Sequence, residues 1–236
     1  MYAIVLVGGR GERLQPLTND RPKCMVPLLG KPILEYQVEW LRDNGVTDIV
    51  LACGHLANVI QEYFQDGGRW NISISYSEEK TPLGRGGALK LAFRAVPASE
   101  ELVIGMNGDN INTQPLAPMV RRHRRTGAVA TLLLTQLRSP YGIVRQEGNR
   151  IVGFEESPLL PHWLSAGVYV LSREFFAGLP KVGDHETGLF PQLAAQGRLS
   201  AFRSKEYWKA IDTVKDLNQA AEQLKARPAT TPAAGG

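Results

Sequence analysis

The chain has 236 residues, with 27 lysines and arginines against 23 aspartates and glutamates, for a formal net charge of +4. That length is ample for a sizeable core. Cys24 and Cys53 are the only cysteines, which excludes a disulfide scaffold and makes a reducing cytoplasm the expected setting. No apolar run approaches the roughly eighteen residues of a membrane span, and Met1 leads straight into an apolar segment with no signal peptide expected before it. The basic excess is scattered. Its one local cluster, Arg121, Arg122, His123, Arg124 and Arg125, reads as a solvated helix face, so neither nucleic acid nor membrane is expected as a partner.

Taken in order, Tyr2 to Val7 is a short apolar run ended by glycines, the pattern of a strand buried on both faces. Ile33 to Asn44 puts Leu34, Val38 and Leu41 on one helical stripe, with Gly45 as its C-cap. Asp48 to Cys53 reads as a strand, Leu56 to Phe64 as a helix, Ile72 to Tyr76 as a strand, Gly87 to Ala95 as a helix and Leu102 to Met106 as a buried strand. This βαβα rhythm predicts an α/β fold of Rossmann-like, three-layer αβα type, with a central mixed, mostly parallel sheet. Beyond it the pattern changes. Leu116 to Thr126 is helical and Ala128 to Leu134 a strand. Gly142 to Arg145 and Arg150 to Phe154 form a hairpin around Glu147-Gly148-Asn149, Gly167 to Ser172 is a strand, and Leu217 to Ala226 a last helix. One domain over 1–226 is expected, with an insertion of antiparallel strands at roughly 136–172. The Pro, Ala, Thr and Gly of 227–236 read as a disordered tail.

The chemistry is expected around Ile4 to Lys23. Gly8, Gly9 and Gly11 leave the first strand, and glycines there let backbone N–H groups approach phosphate oxygens. Arg13 and Lys23 supply two fixed cations, the charge a triphosphate needs. Neither standard phosphate motif fits: no Gly-Lys follows at the Walker spacing, and Leu14 stands where a dinucleotide fingerprint has its third glycine.

A second constellation, Met106-Asn107-Gly108-Asp109-Asn110, lies at the carboxyl end of a buried strand, the edge where open α/β sheets bind ligands. Asp109 there suits a hard cation such as Mg²⁺, or else caps a helix. A third is Trp208-Lys209-Ala210-Ile211-Asp212-Thr213, with Asp216 as a cap for the last helix. Pro82-Leu83-Gly84-Arg85-Gly86-Gly87-Ala88 is a glycine-rich turn leading into a helix near Ala88. His55, His123, His162 and His185 are scattered and read as surface or loop residues.

The segment Leu6-Val7-Gly8-Gly9-Arg10-Gly11-Glu12-Arg13-Leu14-Gln15-Pro16-Leu17-Thr18 followed by Pro22-Lys23 resembles the signature of the sugar-1-phosphate nucleotidylyltransferases. The resemblance covers the chain to about Leu224. It implies that Arg13 and Lys23 are catalytic and that Leu6, Gly8, Gly9, Gly11, Gly84 and Gly87 bind the nucleotide. Asp109 and, in a Trp-x-x-x-Asp-Thr form similar to the cytidylyltransferase branch, Asp212 would hold Mg²⁺. On the sugar side it implies Tyr141, Gly142, Glu156, Ser165 and Gly167. Here the match weakens: Ser157 stands for the usual sugar-phosphate lysine and Ser165 for an asparagine. Lys205, Lys209 or Arg173 would then have to supply the missing cation, or the substrate is unusual.

The resemblance implies an NTP and a sugar 1-phosphate as substrates, an NDP-sugar and pyrophosphate as products, and a homo-oligomer. The loop Pro82–Lys90 points to GTP with a mannose- or heptose-type phosphate. A CTP-, UTP- or dTTP-using homologue, a non-sugar phosphate acceptor, or a catalytically silent binder of nucleotide sugars are the alternatives.

Overall fold

The structure, a computed structural model, describes residues 1–226, and the tail over 227–236 lies outside the described residues. In chain order the first half contains β1 (Tyr2–Leu6), the short β2 (Pro27–Leu28) and β3 (Lys31–Pro32), α1 (Ile33–Asp43), β4 (Asp48–Cys53), α2 (Ala57–Phe64) and β5 (Ser73–Glu78). Then come α3 (Gly84–Ala92), β6 (Leu102–Asn107), β7 (Asn110–Asn112), α4 (Leu116–Thr126) and β8 (Ala130–Arg138). The second half adds β9 (Ile143–Glu147), β10 (Arg150–Glu155), β11 (Leu159–Ser172), α5 (Arg173–Gly178), α6 (Leu189–Ala195), β12 (Leu199–Arg203), β13 (Trp208–Ala210) and α7 (Val214–Ala226).

A seven-stranded sheet in the order β12-β8-β11-β6-β1-β4-β5 forms the centre. β1 pairs in parallel with β4 and β6, and β4 with β5, so these four strands end along one edge. β11 runs antiparallel to both β6 and β8. β1 is buried on both faces because its alternating side chains serve two separate cores. Ala3 and Val5 join Leu34, Val38, Ile60 and Met119 under α1, α2 and α4. Ile4 joins Leu89, Val103, Tyr169 and Phe175 under α3, α5 and α6. The result is the mixed, mostly parallel αβα sandwich expected.

A third, smaller core holds the parts that project past the sheet edge: Leu14, Val26, Leu28, Ile33, Ile111, Ile211 and Ala220. It packs the 12–28 loop, β7, the segment after β13 and α7 against one another.

Several elements differ from the expectation. α3 begins at Gly84, not near Ala88, because the N–H groups of Gly86 and Gly87 donate to the Gly183 carbonyl at 2.9 and 3.3 Å and satisfy the first turn. α7 begins at Val214, where Thr213 and Asp216 cap each other reciprocally: Asp216 Oδ2 accepts from Thr213 N at 3.0 Å, and Thr213 Oγ1 accepts from Asp216 N at 3.2 Å. β7, β12, β13, α5 and α6 were not read from the sequence. β7 and β13 are three residues long, too short to show a period.

His55 and His162 are exposed, but His123 and His185 are not surface residues. His123 lies on the buried stripe of α4 with Leu116 and Met119, its Nδ1 2.9 Å from Thr131 Oγ1. His185 is fully buried among the rings of Tyr169, Phe175 and Phe190, with neither ring nitrogen hydrogen-bonded.

Burial pushes the His185 imidazole down to about 4 against the opposing pull of Glu186 and Asp184. The unfolded imidazole titrates near 6.5, so between roughly pH 6.5 and 4 the unfolded chain binds the extra proton and stability falls as pH falls. Thermal melts of the wild type and of His185→Phe between pH 7 and pH 4 test this. The variant is expected to lose less stability across that window, and parallel curves would contradict it.

Candidate active site

The carboxyl ends of β6, β1, β4 and β5 share one edge, and a cavity of about 360 Å³ opens along it. Leu6, Val7, Gly8 and Gly9 form its floor where β1 ends, with Asn107, Gly108 and Asp109 on one side and Ala52 and Glu79 on the other. Lys23 and Cys24 close one wall, and Pro82, Gly84, Arg85 and Ala88 at the start of α3 the opposite one. Cys24 and Cys53 are free and buried, and burial pushes the Cys53 thiol up to about 12 and that of Cys24 higher still, so neither is a nucleophile at neutral pH.

The charged groups converge at the Lys23 end. Lys23 Nζ donates to Asp109 Oδ2 at 2.7 Å and to Asp212 Oδ1 at 2.5 Å, and Arg13 Nη2 donates to the same Asp212 oxygen at 2.9 Å. Lys23 is 13% exposed, whereas Arg13 lies at the rim with 71% of its side chain exposed. Burial alone would lower the Lys23 pKa, but Asp109 and Asp212 outweigh it and hold the ammonium above the ordinary lysine value.

Backbone register brings these sequence-distant groups together. β13 pairs antiparallel with β7, setting Ala210 opposite Asn110, and Ile211 N donates to the Asp109 carbonyl at 3.0 Å. Asp212 thus follows directly from a strand tied to the residue it faces. Gly108 N donates to Leu6 O at 2.8 Å, and a Cβ at Gly108 would lie 2.6 Å from that oxygen, so only glycine lets the β6 turn close on β1. Gly11 has φ +67°, and a Cβ there would meet Lys23 Cβ at 2.7 Å, so its glycine lets the first loop pack against the lysine. Thr18 Oγ1 donates to Gly11 O at 3.0 Å and fastens the same loop.

The first turn of α3 is held by a clamp that sequence reasoning missed. Arg85 Nε lies 2.6 Å from Asp184 Oδ2 and its Nη1 2.6 Å from Glu186 Oε2, while Tyr169 Oη donates to Glu186 Oε1 at 2.7 Å. Gly84 lines the cavity, but Gly87 faces away: a Cβ on it would lie 2.5 Å from the Lys181 carbonyl. Its role here is close packing against the 181–186 segment. The signal for the clamp was an arginine in a glycine-rich helix start, with acidic residues almost a hundred positions later.

The residues expected on the sugar side do not line this cavity. Tyr141, 75% exposed, Gly142 and Glu156 gather at the base of the β9–β10 hairpin, where a Cβ on Gly142 would lie 2.4 Å from Phe154 Cζ and 3.0 Å from Glu156 Oε2. Ser165 sits on β11 opposite Leu134, exposed. Gly167 comes nearer the site: its φ is +68°, and a Cβ would meet Asn107 Nδ2 at 2.6 Å and Asn110 Nδ2 at 2.8 Å.

Of the cations considered as substitutes at Ser157, Lys209 is bound to Asp216 at 2.5 Å, and Arg173 donates to the carbonyls of Pro97 and Glu100. Arg138, not considered, donates from Nη1 to the Ser157 carbonyl at 2.7 Å. Glu79 was also missed, although it comes directly after a parallel strand, close to that strand's carboxyl end as Asp109 is to its own. The first residues past each such strand are the signal that points to it.

Residues 2–227 match the family model described as nucleotidyl transferase. A mannose-1-phosphate guanyltransferase beta-B of Xenopus laevis is 35% identical over 92% of this chain and 62% of its own length. The chain therefore spans less than two thirds of that relative. A D-glycero-alpha-D-manno-heptose 1-phosphate guanylyltransferase of Aneurinibacillus thermoaerophilus is 33% identical over 95% of this chain and 99% of its own. Among solved structures, a Bacillus anthracis protein assigned as a glucose-1-phosphate thymidylyltransferase superposes with a TM-score of 0.78 at 22% identity, covering 98% of both chains, a likeness of fold. By a family model covering almost every residue and a relative matched over nearly its whole length, the chain belongs to the nucleotidyl transferase family.

Proposed function

We propose that residues 1–226 act as one unit that transfers a nucleotidyl group from an NTP, most readily GTP, to a mannose- or heptose-type sugar 1-phosphate. The observation that carries this reading is the junction of Lys23 with Asp109 and Asp212 at the mouth of a cavity of about 360 Å³. A phosphate oxygen of the sugar substrate attacks the α-phosphorus in line. The bond from that phosphorus to the bridging oxygen breaks, and pyrophosphate leaves with the electron pair. A phosphate monoester is nucleophilic at neutral pH, so the protein must orient two anions and offset their charge, and no general base is required.

Lys23, mostly buried and reliably cationic, faces the α-phosphate and meets the charge that develops there. Arg13, at the exposed rim, reaches the outer phosphates. The backbone of Gly8 and Gly9 on the cavity floor allows close approach of the nucleotide.

Mg²⁺ fits the donor set. Asp109 and Asp212 offer hard carboxylate oxygens that converge on one cation, here the Lys23 ammonium, whose contact the metal would have to share or replace. Mg²⁺ is commonly held by one or two carboxylates with water and substrate phosphate completing its shell. Bound there, it would supply Lewis-acid neutralisation of phosphate charge. On the acceptor side, Tyr141, Gly142, Glu156, Ser165 and Gly167 are assigned to the sugar.

Pyrophosphate release, followed with each of the four NTPs and dTTP against a panel of sugar 1-phosphates and phosphocholine in Mg²⁺, tests the reading. The expected result is turnover, highest with GTP and a manno-configured sugar. Tight nucleotide-sugar binding with no turnover for any pair would leave a silent binding protein instead. Lys23→Ala is expected to lower kcat by about 10²–10³-fold with the best pair, with the fold left intact. Undiminished kcat would refute the role given to Lys23.

A further inference from the structure

The seven-stranded sheet ends on β12, whose outer side pairs with no other strand among the described residues. Two hydrogen bonds fix which residues face inward: Ser204 N donates to Leu134 O at 2.9 Å, and Arg198 O accepts from Val129 N at 2.9 Å. Along a strand, successive residues turn their N–H and C=O groups to opposite sides. Arg198, Ser200, Phe202 and Ser204 therefore face β8, and Ala201 and Arg203 present their backbone groups outward.

Those two residues line a cavity of about 750 Å³ between β12 and α4, separate from the nucleotide cavity. Arg121, Arg122 and Arg125 of α4 line it too, with Pro118 and Phe202 as apolar surface. No carboxylate does, and among the described residues none of the four arginines is in an ion pair. Arg122 Nε donates to Ser200 Oγ at 3.3 Å, and Arg203 Cζ lies 5.0 Å from the centroid of the Trp163 ring. The buried stripe of α4 is Leu116, Met119 and His123, so packing does not call for the arginines. Their mutual repulsion opposes folding, and a ligand that neutralises them would be held strongly.

A free strand edge is a template for another extended chain, and unbalanced guanidiniums for carboxylates or phosphates. A second copy pairing β12 with β12 would set four arginines against four, and like charge opposes it. A nucleic acid would meet the charge but has no N–H and C=O ladder for Ala201 and Arg203. An acidic extended peptide answers both demands. Side chains on one face of a strand repeat about every 6.6 Å, and Arg121 and Arg125 are about 6 Å apart along the helix axis, so glutamates at alternate positions match successive arginines.

We propose that the β12 edge docks an acidic, extended segment of a partner protein, which adds to the sheet as a further strand while its carboxylates meet the α4 arginines. This surface is independent of nucleotidyl transfer.

Fluorescence anisotropy of the whole protein with a labelled acetyl-Val-Glu-Val-Glu-Val-Glu-amide peptide tests it. The wild type is expected to bind saturably, and the double variant Arg121→Ser, Arg125→Ser about 100-fold more weakly, at roughly 10-fold for each charge-assisted contact. Both arginines are exposed, and a thermal melt checks that the variant folds. Two further peptides, N-methylated at every valine or at every glutamate, keep the charge but block opposite edges of the peptide strand. One is expected to lose about 10-fold or more and the other to bind like the parent. By NMR hydrogen exchange, the amides of Ala201 and Arg203 should exchange freely in the protein alone and be protected by the peptide. No saturable binding up to about 1 mM peptide, unchanged affinity in the double variant, equal affinity for the two N-methylated peptides, or equal affinity for hexathymidylate would overturn the proposal. So would protection of those two amides without peptide, the mark of a second copy on the edge.

Discussion

An ammonium held between two carboxylates is the constraint on which the site depends. Asp109 and Asp212 face one point from chain positions about a hundred residues apart, and without a cation between them they would repel. Lys23 fills that point and is itself kept charged by the pair. The positions of these three and of Arg13 derive from the small third core, because each charged residue sits close in sequence to one of its apolar members. Leu14 follows Arg13, Val26 lies three residues beyond Lys23, Ile111 two beyond Asp109, and Ile211 immediately precedes Asp212. The apolar contacts bear the cost of ordering these loops, which the ion pairs alone would not cover.

From that junction the sheet acts as a ruler. Four parallel strands in a row bring residues to a common edge, and α3 walls the cavity with its first turn strapped to the 181–186 segment. The strap joins the nucleotide cavity to β11 through Glu186 and Tyr169, and β11 carries Ser165 and Gly167. The hairpin with Tyr141, Gly142 and Glu156 stands apart from the cavity lining, with Phe154 and Ile151 exposed on it. The two halves of the proposed reaction thus map to two structural regions, a parallel edge for the nucleotide and an antiparallel extension for the acceptor.

How much of this was legible in the sequence depended on period and on distance. The long amphipathic stripe of α1 and the doubly buried run of β1 carry strong periodic signals and formed as expected. The partner of Asp109 was harder: nothing local says that a three-residue strand at Trp208–Ala210 pairs with one at Asn110–Asn112, so Asp212 was reached only through a motif likeness. The glycines of Pro82–Ala88 were read as a turn open to ligand, whereas close approach of the Lys181 and Gly183 carbonyls explains Gly84, Gly86 and Gly87. His185, one of the histidines read as surface or loop residues, does lie in the loop between α5 and α6, but three aromatic rings enclose it. Glu79 carried no motif at all, and only the fold puts it on the cavity edge that Asp109 also lines.

The central claim is that Asp109 and Asp212 form a single cation-handling pair for a nucleotide's phosphates. Electron paramagnetic resonance of Mn²⁺ in the presence of a non-hydrolysable GTP analogue measures that pairing most directly. The account predicts tight Mn²⁺ binding by the wild type and a loss of at least about 10-fold in both Asp109→Asn and Asp212→Asn, the scale of one charged ligand interaction. Wild-type Mn²⁺ affinity in either variant would contradict it.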